Sequence, residues 1–219
     1  MPNWCDNQVT ITGPNSVIDK IEKITKEQNE QNGLLNFMFP MPKALEGTEA
    51  GPSAKTKKEK LDRARLQVEY GASNWYDWRT TNWSTKWEIS EFYGVDRQYH
   101  SEQNEGESTI SFGFSSAWAP PTGAYEMFLE KNNECSLKAY YYEGGCDFMG
   151  EWDNGIDECL APSDYKSTDD FWQDGIGSTL DDTFNITESM AEYEAELEAE
   201  KEDVTEYVKG QAMNIGEEA

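Results

Sequence analysis

Residues Asn74 to Glu88 read N-W-Y-D-W-R-T-T-N-W-S-T-K-W-E, and four of the chain's eight tryptophans fall within this one segment. Trp75, Trp78, Trp83 and Trp87 each carry on the order of 150–250 Å² of surface, which dominates whatever core or interface receives it. The structure is therefore expected to be built around them. Asp77, Arg79 and Lys86 interleave charge with this apolar mass, and charges in such a place must pair or face solvent. That mixture suits a core seam or the wall of a pocket.

Outward from this segment the chain alternates strand and helix signals. Gln8 to Thr12 alternates apolar and polar residues and stops at Gly13-Pro14, which predicts a half-buried strand. From Asn15 to about Gln31, Val17, Ile18, Ile21 and Ile24 share one helical face, with Asn15 or Ser16 to cap the start and Gly33 just past the end. Leu34 to Leu45 is apolar but broken by Pro40 and Pro42, and reads as a loop covering the core. Residues 46–53 have turn chemistry. Ala54 to about Tyr70 reads as a lysine-rich helix with Leu61, Ala64 and Val68 on its inner side. Its basic cluster, Lys55, Lys57, Lys58 and Lys60, is best read as a solvated face in an acidic field.

Beyond the tryptophans, Lys86 to Tyr93 reads as the second strand and Ser108 to Ser115 as the third. A polar loop between them, about 94–107, holds His100, the chain's one histidine. Pro121 opens a helix over Thr122 to Asn132, and Ser136 to Glu143 makes the fourth strand. Cys146 to Trp152 reads as a short edge strand. The order strand, helix, insertion, strand, strand, helix, strand is that of a ferredoxin-like split β-α-β, an α+β fold with an antiparallel sheet and its helices on one face. Residues 1–160 form this domain, with a helical insertion near 46–80, and residues 161–219 form an acidic C-terminal extension.

Four stretches bear on family. P-N-W-C-D-N-Q-V-T-I-T-G-P at the start, the tryptophan segment, S-A-W-A-P-P at 116–121 and Y-Y-E-G-G-C-D-F-M-G-E-W at 141–152 together resemble the Api92-like, or YubB, ferredoxin-like family of tailed phages and conjugative plasmids. The resemblance covers roughly residues 1–160. Ser84 stands where a glycine is expected, and Ala119 where a serine is expected. The resemblance implies the fold and a mobile-element origin; it brings no established catalytic activity.

The 219 residues carry 43 acids against 18 bases, a formal charge of −25. Residues 1–142 hold 20 acids and 15 bases, whereas residues 143–219 hold 23 and 3, so the acidity belongs to the C-terminal third. Direct binding to phosphate backbones or anionic membranes is electrostatically unfavourable for such a chain. A partner that normally receives polyanions fits better. With no basic and apolar leader pattern at the N-terminus and no long apolar run, a soluble protein of the host-cell cytoplasm is expected. Cys5, Cys135, Cys146 and Cys159 lack C-x-x-C spacing and read as reduced structural thiols.

Residues 160–186 scatter Phe171, Trp172, Ile176, Leu180, Phe184 and Ile186 through polar sequence. A final helix is expected over about 189–209, capped by Ser189 with Glu192, with Met190, Tyr193, Leu197, Val204 and Tyr207 in one apolar stripe fit for docking or a homodimer. Its other faces carry two ladders, Glu188, Glu192, Glu196, Glu200 and Glu194, Glu198, Glu202, Glu206. Steps of four residues place neighbouring carboxylates roughly 6 Å apart along a helix axis, broadly the spacing of phosphates along a strand. Six like-charge pairs cost such a helix about 1–3 kcal/mol. A partner-binding surface that offsets this cost is one reading, and a solubilising tail is the other.

Catalytic signatures are sparse. His100 has no nucleophile motif near it. Asp153, Asn154, Asp157 and Glu158 offer oxygens for a calcium-like ion, but not at EF-hand spacing. There is no P-loop or G-x-G-x-x-G, and no cofactor is expected. Asp77 and Glu88 are the one carboxylate pair beside tryptophans that a sugar-cleaving site could use, set against a structural network with Arg79 and Lys86. The leading expectation is a non-enzymatic protein that inhibits a host nucleic-acid-binding or defence protein through an acidic, DNA-mimicking surface. The alternative is a small-ligand or carbohydrate pocket, hydrolytic in one version, lined by Trp75, Trp83, Trp87 and Trp118 with Asp77, Arg79 and Lys86.

Overall fold

The computed structural model describes residues 3–27, 33–51, 56–100, 106–165, 167–173, 175–191 and 201. Among these, six strands form one antiparallel sheet in the order β2-β3-β1-β4-β5-β6: β1 Trp4–Pro14, β2 Tyr93–Tyr99, β3 Glu107–Ala117, β4 Ser136–Glu143, β5 Phe148–Asp153 and β6 Ile156–Leu160. The helices are α1 Asn15–Glu27, α2 Leu34–Met38, α3 Lys57–Tyr70, α4 Trp75–Asn82, α5 Thr122–Lys131, α6 Thr168–Gln173 and α7 Gly177–Phe184. Two β-α-β units interleave, so that β3 lies between β1 and β2, and β1 between β3 and β4. This is the ferredoxin-like pattern, extended by the β5-β6 hairpin.

The period of two along each strand sorts the residues by face. Val9 pairs with Phe112 and Ala139, and Ile11 with Ile110 and Leu137; all six are buried. Val17, Ile18 and Ile21 of α1 and Ala124, Tyr125 and Phe128 of α5 join the same core. The other face of β1 is polar. There Thr10 bonds Ser111 at 2.9 Å, Thr12 bonds Thr109 at 2.7 Å, and the Ser115 hydroxyl donates to Asp6 at 2.7 Å.

Several elements differ from the sequence expectation. The second strand is Tyr93–Tyr99, not 86–93. It is an edge strand, exposed at nearly every position, so no apolar alternation marks it. What fastens it is Arg97, which reaches Asp19 at 2.7 Å and Glu22 at 2.6 Å on α1. The Leu34–Leu45 stretch is not wholly loop: it contains α2 and a 3-10 turn at Lys43–Leu45. The strand expected at 146–152 is β5, which is interior, because β6 takes the edge.

Helix α3 turns the other way from the face its sequence suggests. Leu61 and Val68 are 63% and 89% exposed and Ala64 is exposed, while Leu66 is buried. Its start is set by a capping box between Thr56 and Glu59, and the Arg63 guanidinium donates to the carbonyls of Gly51 and Glu49. Val68→Ala is therefore expected to change stability by less than about 0.5 kcal/mol, and Leu66→Ala to cost about 2 kcal/mol or more. Urea unfolding of the two variants measures this.

The structure divides into two compact units, Met1–Ala161 and Pro162–Ala219. In the second, Phe171, Leu180 and Ile186 are buried, and Tyr165 packs edge-on against Phe171 at 4.9 Å. Asp181 accepts the Thr187 amide at 2.7 Å and hydroxyl at 2.8 Å, and the Trp172 indole N–H at 3.0 Å. Residues 186–191 are already helical, so Ser189 lies inside a helical turn rather than capping its start. The rest of the expected 189–209 helix, and every ladder position except Glu188, lies outside the described residues apart from residue 201.

Candidate functional site

The tryptophan segment has an inward half and an outward half. Asn74 caps α4, its side-chain oxygen accepting the amides of Tyr76 and Asp77 at 3.0 Å each, and its amide group donates to Asp77 at 2.6 Å. One turn on, Trp78 enters the core beside Phe39. Trp83 ends the helix wholly buried, donating its indole N–H to the Phe39 carbonyl at 2.8 Å and meeting Trp78 edge-on. The Arg79 guanidinium lies over the rings of Trp75 and Trp83, at 5.3 and 4.7 Å. Trp83 is thus core and does not line a pocket. Trp75 and Arg79 instead border a depression of about 290 Å³ with Met41, Glu46 and Gly47.

The two candidate catalytic carboxylates both have structural partners, a side chain for Asp77 and backbone amides for Glu88. Asp77 is exposed in the first turn of α4, held by Asn74. Glu88 points inward and accepts the amides of Leu35 and Asn36 at 2.8 Å each and of Ile89 at 3.0 Å, pinning the start of α2 to the segment. A Cβ on Gly33 would fall inside the Glu88 side chain, so only glycine admits this approach.

Ser84 has φ +67°, the left-handed conformation that glycine adopts without strain. Its hydroxyl accepts the Gly123 amide at 3.2 Å, satisfying one of the free donors in the first turn of α5. That contact gives a serine, rather than a glycine, a use at this position. Ala119 contributes its carbonyl, which accepts the Ser116 hydroxyl at 2.8 Å.

The outward half forms an aromatic strip. The Lys86 ammonium sits 4.5 Å from the Trp87 ring centre, 5.1 Å from Trp118 and 5.7 Å from Tyr76. Trp87 in turn lies 5.8 Å from Trp4. Trp118 is 40% exposed with φ +71°, an unusual conformation for a bulky side chain; its amide donates to the Asn3 carbonyl at 3.0 Å. Among the described residues no carboxylate forms an ion pair with Lys86. In a chain so rich in acids, its charge is held by rings.

Trp4 continues the strip toward β2. With Ser90, Glu91, Tyr93 and Ser115 it borders a depression of about 440 Å³. Register explains the assembly: on the polar face of the sheet Trp4 pairs with Ala117, Asp6 with Ser115, and Gln8 with Gly113, whose other partner is Tyr93. The Tyr93 ring lies over Gly113, in space a Cβ there would occupy. Burial, and then the nearby Asp6 carboxylate, raise the Tyr93 phenol above its ordinary value. Trp4, Asp6, Glu91, Tyr93 and Ser115 were not singled out as site residues by sequence, because they meet only through the β1-β3-β2 register.

The remaining candidates are structural. His100 shares a 2.9 Å bond with the Thr109 hydroxyl. Asn154 accepts the Leu137 amide, Asp157 accepts the Tyr141 hydroxyl, and Asp153 lies 3.6 Å from Lys138. Among the described residues no group of three or more His, Cys, Asp or Glu is placed to hold a metal ion, and all four cysteines are free. Burial lifts the Cys135 thiol to about 11, away from thiolate chemistry. No described helix is long and apolar enough to cross a membrane.

No protein-family model matches the chain, and no curated protein matches it significantly. Among solved structures it is similar to the protein api92 from Yersinia pseudotuberculosis, at 12% identity and a TM-score of 0.38, over 74% of this chain and 98% of that one. The fold class is α+β, with an antiparallel sheet.

Proposed function

We propose that the chain is a non-enzymatic accessory protein of a phage or plasmid that occupies the basic, nucleic-acid-binding surface of a host protein in the host cytoplasm, and so inhibits it. One observation carries this reading. Between residues 143 and 191 the sequence holds thirteen Asp and Glu against one Lys and no Arg. So one-sided a segment raises the local concentration of a basic partner and speeds its encounter, with strong dependence on salt. The ladders from Glu188 to Glu206 extend the same charge.

Capture from bacterial lysate tests the proposal, using the full chain and a variant with Glu194, Glu198, Glu202 and Glu206 changed to Gln. A DNA- or RNA-binding protein is expected at low salt, lost as salt rises and lost to the variant. Capture indifferent to salt and to neutralisation would falsify the reading. A second reading, a saccharide or other small ligand against the strip, is favoured by the half-exposed rings of Trp75, Trp87 and Trp118; it predicts tryptophan fluorescence that responds to such a ligand.

A further inference from the structure

We infer that the depression between Trp4 and Tyr93 receives an arginine side chain of the basic partner, an inference that rests on the function proposed above. Its two aromatic walls are 51% and 49% exposed, so both rings are open to an incoming group. No basic residue borders it, whereas Glu91 stands on its rim and Asp6 lies behind Ser115, accepting that hydroxyl through one carboxylate oxygen. Glu91 forms no ion pair among the described residues. At about 440 Å³ the space falls in the range of small-ligand clefts, roughly 300–1,000 Å³.

The neighbouring surface already holds a cation in this manner. Lys86 lies on Trp87, and Trp87 packs against Trp4, so the strip that seats the chain's own ammonium continues into an aromatic wall with no ammonium upon it. A guanidinium suits the place better than an ammonium: it is planar, stacks on ring faces, is weakly hydrated, and presents several N–H donors to carboxylates such as Glu91 and Asp6. The acidic C-terminal third would bring the partner near, and this depression would fix one residue of it.

Indole N–H resonances of the ¹⁵N-labelled full chain, titrated with Nα-acetyl-arginine amide, Nα-acetyl-citrulline amide and cellobiose, test the inference. The expected result is a saturable shift of the Trp4 resonance, assigned by its loss in Trp4→Phe, with the arginine probe alone. Glu91→Gln, at an exposed position that leaves folding intact, should weaken that binding about three- to tenfold. Equal response to citrulline, response to cellobiose alone, or no Trp4 shift at all overturns it. If partner capture persists with its salt dependence while the probe fails to bind, the arginine site is wrong and the proposed function stands. If capture ignores salt and neutralisation, the function itself is wrong.

Discussion

Trp83→Ala is expected to lower the stability of the folded chain by about 3–5 kcal/mol, as for a fully buried tryptophan that leaves a cavity its neighbours only partly fill. Three further losses fall on the same spot. The Phe39 carbonyl loses its 2.8 Å donor, Trp78 its edge-on partner, and the Arg79 guanidinium a ring at 4.7 Å. Trp87→Ala, four residues on, removes a half-exposed ring and should cost about 1 kcal/mol. Chemical denaturation of the two variants reads the contrast directly. Similar costs for both would mean that the segment is not divided into a core half and a surface half.

Glu88→Ala should cost about 3–9 kcal/mol. Three amides, those of Leu35, Asn36 and Ile89, lose their acceptor, and each buried donor left without one costs about 1–3 kcal/mol. Glu88→Gln keeps one oxygen but sets an NH2 group against an amide donor, for a cost of about 1–3 kcal/mol. Burial lifts the Glu88 carboxyl above its ordinary 4.5, against the opposing pull of the three amides and of Arg79. The folded chain therefore binds this proton more tightly than the unfolded chain does. The contribution of Glu88 is greatest below the unfolded value and declines as pH rises through the folded one. The stability gap between the native chain and Glu88→Gln should accordingly narrow as pH rises from the ordinary value of 4.5 through the raised folded one. A gap that widens over that range would show that the amides, not burial, set this carboxyl.

Much of the fold was legible because core strands announce themselves. β4 begins and ends where its alternation does, and β1 and β3 extend the alternating runs by one to four residues at each end. β2 was misplaced because an edge strand has no buried face to impose a pattern; Tyr93–Tyr99 is held by its ladder to β3 and by Arg97. α3 misled in the opposite sense. Leu61, Ala64 and Val68 do share a face, but the insertion closes through Leu66 and the Thr56 cap instead. β6 escaped notice because Ile156, Asp157, Glu158 and Cys159 are all exposed, and pairing with β5 alone defines them.

The site was legible in part. Sequence located the aromatic mass, and Lys86 with Trp87 and Trp118 does converge on one surface. Trp83 could not be separated from its neighbours, since spacing alone does not say which ring finds the Phe39 carbonyl. Trp4 and Tyr93 lie 89 positions apart and meet only because both strands register against β3.

We propose competition between the chain and nucleic acid for a host protein. Its most direct measurement is fluorescence anisotropy of a labelled duplex bound to the captured host protein, with the full chain added at low salt. Release of the duplex is expected as the chain is added, with an apparent affinity that falls steeply as salt rises and collapses in the Glu194, Glu198, Glu202 and Glu206 to Gln variant. Formation of a ternary complex, with the duplex retained while the chain binds, would contradict it.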